Sequence, residues 1–408
     1  MKPVAELLVV LASLMVICPH LTVAATLDDT RNLETFLFAN YSKVPRPVYN
    51  QSEVLRVGVD VYLLSIIQLD AVASSIEISI AAALAWHDSQ LTWDPNDYGG
   101  LTTYTVDPAN IWYPGIFIIS TADELETISK TDFHADISST GNVSWVVGKL
   151  ILSSCDVDMT QFPMDTQVCD IILMPWGYGA NEVALYALVN TMNMAFVSPN
   201  GEWNIDKTLV TEIDTYKPNS SALTVQLTLS RKSTYFIMSL ILPMNLLGFL
   251  TPFVFFIPAS SGDRISYSVT MFLSLAVYMT IVTDDIPKVS EPMAGITYYT
   301  LVTLIVSSAI VLLAIVSVRF EAIDDVDKFP KYIVRAVKWL ATRCRKTRRR
   351  AKIEDGTDKK KDGNYDENGT EIKVTKETIM KYTDIFLFIV TMTTPIIINI
   401  IFLAVYAS

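Results

Sequence analysis

Seven residues between positions 263 and 284 have the types and spacing to do chemistry. Asp263, Ser266, Thr270, Leu273, Val277, Thr280 and Asp284 are separated by alternating steps of three and four. On an α-helix they form one stripe. It is acidic at both ends, hydroxylated near its start and apolar in the middle, at Leu273 and Val277. The other faces hold Ile265, Val269, Met271, Phe272, Leu275, Tyr278 and Ile281, which suit lipid or neighbouring helices. So polar a stripe is costly against lipid and makes sense facing water. Carboxylates facing water there attract cations and repel anions. A stripe serving only helix–helix hydrogen bonds is the other reading.

A cysteine pair is the second feature. Of four cysteines, Cys18 lies in an N-terminal apolar run and Cys344 in a basic segment. Cys155 and Cys169 remain, and one pair in an exported domain reads as a single disulfide. Two free buried thiols are the alternative. Enzyme chemistry is not legible. The three histidines, His20, His87 and His134, form no metal-spaced cluster, and there is no nucleophile elbow or phosphate loop. No cofactor or metal is expected, and nucleic acid is not among the expected partners.

The elements that must position these residues divide the chain in two. Over 408 residues the composition is 51% hydrophobic, with a mean hydropathy of +0.35, too apolar for an ordinary soluble protein of this length. Four uncharged runs, Tyr235–Ile257, Ile265–Thr283, Ile296–Val318 and Ile385–Tyr406, each approach the roughly 20 residues that span a bilayer as a helix. Residues 26–230 hold 25 acidic and 8 basic side chains, whereas 319–382 hold 18 basic and 12 acidic. Arg343–Lys352 alone has seven basic residues in ten, which places that loop in the cytoplasm and both termini outside.

Residues 1–25 read as a signal peptide cut after Ala25, with a first membrane span as the weaker alternative. Residues 29–41 read as an amphipathic helix with Leu33, Phe36, Leu37 and Tyr41 on one face. Strand patterns continue to about residue 230. The clearest alternates Leu223, Val225, Leu227 and Leu229 with Thr224, Gln226, Thr228 and Ser230, which marks a half-buried antiparallel strand. The expected architecture is an all-β domain, an N-terminal helix plus a β-sandwich, over 26–232. An all-α domain of four transmembrane helices follows: three over 233–318, a cytoplasmic loop at 319–382 with an amphipathic helix at Pro330–Arg343, and the fourth in 383–408. Sequons at Asn40, Asn50, Asn142 and Asn219 fall on the outer side and are expected to carry glycans. Asn368 falls inside and is not.

Residues 155–169, CDVDMTQFPMDTQVC, closely resemble the signature loop of Cys-loop ligand-gated channels. YSKVPRPV (41–48), WHDSQLTWDPNDYGG (86–100), Trp112–Pro114 and Gly262-Asp263-Arg264 look like nicotinic receptor segments. The resemblance, to nicotinic acetylcholine receptor-like subunits of invertebrate type, extends over the whole chain. It implies a sandwich of about ten strands and a pentamer whose second helices line a central pore. The implied partners are four identical or homologous subunits, a small-molecule agonist, membrane lipid and permeant monovalent cations. The implied location is the plasma membrane, a postsynaptic one among the candidates. Anion-selective relatives carry an extra small residue and a proline at the inner mouth. Ser261-Gly262-Asp263 here favours cations. A non-conducting accessory subunit would not need the stripe.

The resemblance also implies a ligand site between subunits, a box of aromatic rings holding an amine by cation–π attraction. Trp176 falls at the central tryptophan position and Tyr216 at the first tyrosine of the capping loop, with Tyr178 nearby. Ile119, Ala81 and Ser220 stand where further rings are expected, and the adjacent cysteine pair of nicotinic α subunits is absent. Acetylcholine is therefore not the expected ligand, and a bulkier or amphipathic one is. Gating-coupling roles are implied for Phe162, Pro163, Asp165, Arg231, Asp70 and Pro287. Arg231 usually pairs with a glutamate at a position that is Ala71 here, so its partner is expected to be Asp70 or Asp165.

Overall fold

The computed structural model describes residues 25–216, 219–286, 288, 291–323, 329–330, 334–335, 337, 339 and 375–406. Residues 1–24 of the expected signal peptide, Pro287, the basic run Arg343–Lys352, Asn368 and most of the Pro330–Arg343 stretch lie outside these. Two compact units emerge: residues 1–157 with 166–230, and 158–165 with 231–408.

The first unit opens with helix α1, Leu27–Phe38. Thr26 caps it reciprocally with Asp29: the Asp29 N–H donates to Thr26 Oγ1 (3.2 Å) and the Thr26 N–H to Asp29 Oδ2 (2.8 Å). The Thr26 hydroxyl also donates to Asp29 Oδ2 (2.6 Å), and this bond, with the one from the Thr26 N–H, holds the Asp29 carboxyl below its ordinary value. Leu33 and Leu37 are buried as expected. Phe36 and Tyr41 depart from the expected face. Phe36 is exposed, its ring 5.8 Å from Tyr98. Tyr41 lies past the helix end, where its hydroxyl donates to Asp88 (2.7 Å).

Ten strands follow among the described residues: β1 Leu55–Asp70, β2 Ser75–His87, β3 Thr103–Val106, β4 Ile116–Ile118, β5 Ala135–Ser138, β6 Asn142–Ser154, β7 Thr166–Pro175, β8 Val183–Ala187, β9 Trp203–Tyr216 and β10 Ser220–Arg231. They form a β-sandwich of two sheets, ordered β3-β5-β6-β2-β1-β8 and β4-β7-β10-β9. The pairing of β1 with β8 is parallel. In β10, Leu223, Val225, Leu227 and Leu229 are buried and the residues between them half-exposed, so the period-two pattern selects the core face. Trp145, fully buried, donates its indole N–H to the Phe133 carbonyl (2.8 Å), so no polar atom is lost to the core. The disulfide Cys155–Cys169 joins the end of β6 to β7, tying the two sheets together.

Among its described residues the second unit holds four helices long and apolar enough to cross a membrane: α2 Thr234–Phe256, α3 Asp263–Asp285, α4 Gly295–Glu321 and α5 Lys376–Tyr406. α5 begins nine residues before the uncharged run that announces it, because Lys376, Lys381 and Asp384 extend the helix beyond its apolar part. Pro395 lies inside α5 and offers no N–H to the Thr391 carbonyl. The Thr394 hydroxyl donates to that carbonyl instead (2.7 Å), which is how the helix continues. Near the start of α4, the Tyr299 hydroxyl lies 2.9 Å from Asn245 Oδ1 and 3.2 Å from Asn399 Oδ1, linking α4 to α2 and α5.

Candidate functional site

Helix α3 starts from Gly262, whose left-handed backbone (φ 73°) a residue without Cβ adopts at no steric cost. All seven stripe residues, Asp263, Ser266, Thr270, Leu273, Val277, Thr280 and Asp284, are exposed on the single chain. Leu273 and Val277 are 59% and 56% exposed, a large apolar area left without a partner in its own subunit. Arg264, Ser268, Leu275 and Val282 on the opposite side are buried against the chain's own helices. The Thr270 hydroxyl donates to the Ser266 carbonyl (2.8 Å) and the Thr280 hydroxyl to that of Val277 (2.7 Å). With their protons spent on the helix, these hydroxyls offer acceptor lone pairs outward, a polarity that suits a cation more than an anion. Val269, Ser274, Ile281 and Thr283 are exposed too, so the free face is wider than the stripe.

Residues 158–165, the tip of the disulfide loop, group with the helices. Phe162 is buried between the Arg231 guanidinium (5.1 Å from its ring centre) and the Phe236 ring (5.0 Å), and Pro163 beside it is buried as well. Of the two partners open to Arg231, it takes Asp165: Nε donates to Oδ1 (2.8 Å) and Nη2 to Oδ2 (3.2 Å), with side-chain exposures of only 6% and 1%. Such a bidentate, desolvated pair is rigid. Asp70 instead accepts the N–H groups of Val72 (2.7 Å) and Ala73 (3.0 Å), closing its own hairpin turn. The Thr160 carbonyl accepts the N–H of Gly295 (3.2 Å), capping an otherwise orphan donor in the first turn of α4.

In the β unit, Trp176 sits in the turn after β7, half-exposed, its N–H bonded to the Gly115 carbonyl (2.9 Å). Its ring neighbour is Phe117, 5.9 Å away. Ile119 lies elsewhere: its N–H pairs with the Ile172 carbonyl, about 13 Å along β7 from Trp176 at ~3.3 Å per residue. Sequence counting missed Phe117, although an aromatic two residues before 119 has the same strand parity. The Tyr178 hydroxyl accepts the Trp112 indole N–H (3.2 Å), and Trp112 in turn meets Trp86 edge-on (6.0 Å). The Ser220 hydroxyl donates to the Tyr178 carbonyl (3.2 Å), holding the start of β10 beside Trp176's turn. Tyr216, half-buried at the end of β9, accepts the Asn219 N–H on its carbonyl (2.7 Å). Trp176, Tyr178 and the β9–β10 turn are thus near one another, and Ile119 is not with them. Ala81, where a ring was expected, lies between Tyr62 and Gly148 in the other sheet.

Tyr41 and Asp88 brace this region from beneath, since the Trp112 N–H donates to the Tyr41 hydroxyl (2.9 Å). Burial and the adjacent Asp88 carboxylate push the Tyr41 hydroxyl well above its ordinary value, and burial raises Asp88. Asn40, Asn50, Asn142 and Asn219 are all exposed.

The described residues thus form a ten-stranded sandwich and four helices of membrane-spanning length, the second with an exposed stripe that is acidic at both ends. Residues 30–233 match the neurotransmitter-gated ion-channel ligand binding domain, and residues 240–384 the neurotransmitter-gated ion-channel transmembrane region. The acetylcholine receptor subunit beta-like 1 of Drosophila melanogaster is 30% identical over 319 residues, 76% of this chain and 60% of that protein. The bovine neuronal acetylcholine receptor subunit alpha-3 is 31% identical over 291 residues, 70% of this chain and 58% of that one. The acetylcholine receptor subunit beta-type unc-29 of Caenorhabditis elegans is 27% identical over 294 residues, covering 72% and 59%. The chain belongs to the neurotransmitter-gated ion-channel family, whose members are receptors and not enzymes. It spans about three-fifths of the length of the curated relatives it matches.

Proposed function

We propose that this chain is one subunit of a pentameric, cation-selective channel of the plasma membrane, opened by a ligand bound outside. The observation that carries the proposal is the exposed α3 stripe, with carboxylates at both ends and the helix's other side packed into its own bundle. Fivefold symmetry turns each position into a ring. Asp263 and Asp284 become carboxylate rings at the two mouths, and Leu273 with Val277 becomes an apolar gate. The Asp263 ring at the narrow inner mouth acts on ions with little intervening water, so it sets selectivity. Asp284 at the wider, better screened outer mouth sets conductance.

The ligand is read as occupying the region of Trp176, Tyr178 and Tyr216, now with Phe117 as the second ring. Ala81, Ser220 and Ile119 leave too few rings to hold a bare ammonium well. Although the relatives are named acetylcholine receptor subunits, a bulkier or amphipathic agonist is the better fit. Phe162, Pro163, Asp165 and Arg231 supply a rigid coupling element at the start of α2, and Asp70 and Pro287 complete the coupling set. Both termini lie outside, where Asn40, Asn50, Asn142 and Asn219 carry glycans.

Ion-substitution recording from cells carrying the channel's current tests this. Asp263→Ala with a Pro inserted beside Gly262 is expected to move the reversal potential toward that of chloride. Asp284→Ala is expected to lower cation current without reversing selectivity. An unmodified channel reversing at the chloride potential would sink the cation reading.

A further inference from the structure

Asp263 is followed directly by Arg264, so counting along the chain gives the start of α3 no net charge. The fold separates the two side chains. Asp263 is exposed, whereas Arg264 is completely buried. All five guanidinium N–H donors of Arg264 are engaged. Nη1 donates to Asp384 Oδ1 (2.9 Å) and to the Ser317 hydroxyl, and Nη2 to Asp384 Oδ2 (2.7 Å) and the Phe255 carbonyl (3.3 Å). Nε donates to the Ile257 carbonyl (2.8 Å). One side chain on α3 thus reaches the end of α2, the last part of α4 and the first part of α5. Asp384 is the only one of these partners that carries charge.

Carbonyl and hydroxyl partners satisfy donors but leave the positive charge of a buried guanidinium in place. Only a carboxylate cancels it, and the two-pronged geometry seen here fits arginine and carboxylate specifically. We infer that Asp384 determines charge selectivity at this end of α3: by neutralising Arg264 it leaves the Asp263 carboxylate uncompensated. The inference rests on the reading of α3 as the pore-lining helix. Asp384 touches no permeating ion, and acts as a positioning and charge-cancelling residue on the helix farthest along the chain. Without it, Asp263 and Arg264 would largely cancel at each subunit, and the ring would lose most of its attraction for cations.

The test is a cycle of variants recorded under ion substitution in cells where the full chain carries current, alone or with a partner subunit. Asp384→Asn keeps the shape and removes the charge. It is expected to reduce the cation-to-anion permeability ratio about fivefold or more and to lower single-channel cation conductance. Arg264→Gln with Asp384→Asn removes both charges, and is expected to return both quantities toward those of the unmodified channel. A merely structural role for Asp384 predicts no such recovery of selectivity. Unchanged selectivity and conductance in Asp384→Asn would overturn the inference.

If Asp384→Asn does not reach the cell surface, Arg264→Gln is compared with the double variant, because neither contains an unpaired guanidinium. The single variant then leaves Asp384 as an extra negative charge and is expected to conduct cations better than the double. Equal conductances would overturn the inference equally. The reversal potential of the unmodified channel decides the cation reading separately. The direction of change between variants decides the role of Asp384 whichever ion the channel prefers.

Discussion

Leu273 carries the proposed gate because it is apolar, central in the stripe and 59% exposed on its own subunit. Leu273→Ser would remove roughly 2 kcal/mol of apolar contact per subunit from a closed constriction. Resting leak is expected to appear, and the half-activating ligand concentration to fall at least about tenfold. Unchanged leak and sensitivity in a conducting variant would rule Leu273 out as the gate. Asp88 offers a residue-level test in the β unit. Burial raises its carboxyl above the ordinary value of about 3.9. The folded state therefore holds that proton more tightly than the unfolded state. Its stabilising contribution is complete below the unfolded value and is lost as pH rises through the folded one. Unfolding of the full chain followed by tryptophan fluorescence should lose that slope in Asp88→Asn. A slope identical to that of the unmodified chain would show that Asp88 is not its source.

The loop between β6 and β7 joins two kinds of constraint. Its disulfide closes a sequence separation of 14 residues, worth about 3 kcal/mol of unfolded-chain entropy. Its tip is fixed by the Asp165–Arg231 pair, both side chains almost wholly buried. Asp165→Asn would take the bidentate carboxylate away from this desolvated guanidinium, at a cost of up to about 3–5 kcal/mol. Asp165→Asn with Arg231→Gln should cost clearly less. Surface labelling and thermal melting of the two variants distinguish these outcomes, and equal losses would mean that the ion pair is not what holds the tip. On the coupling reading, a double variant that reaches the surface should also need more ligand to open.

Across the whole molecule, the unpartnered face of α3 calls for other copies. Expressed alone and purified in native form, the chain should have the mass of a pentamer. Monomers only would exclude a homomeric channel and leave a heteromeric subunit. The ligand reading is tested at this scale too, since on that reading assembly completes the site. Acetylcholine should bind the assembled receptor weakly, and saturable high-affinity binding abolished by Trp176→Ala would show that the remaining rings suffice.

The features legible in the sequence alone are those that repeat over a few residues. Four uncharged runs announce α2 to α5 because a bilayer demands a fixed helix length. Alternation in 223–230 announces β10 because a strand turns successive side chains to opposite faces. The stripe on α3 is visible because helical geometry converts steps of three and four into one line. The tertiary structure alone decided which distant groups meet. Arg231 chose Asp165 over Asp70, Trp176 met Phe117 while Ile119 went to Ile172, and Arg264 found Asp384 on another helix. No local period links such residues. Their pairing depends on strand register and on which helices pack together, and these are set by burial summed over whole elements.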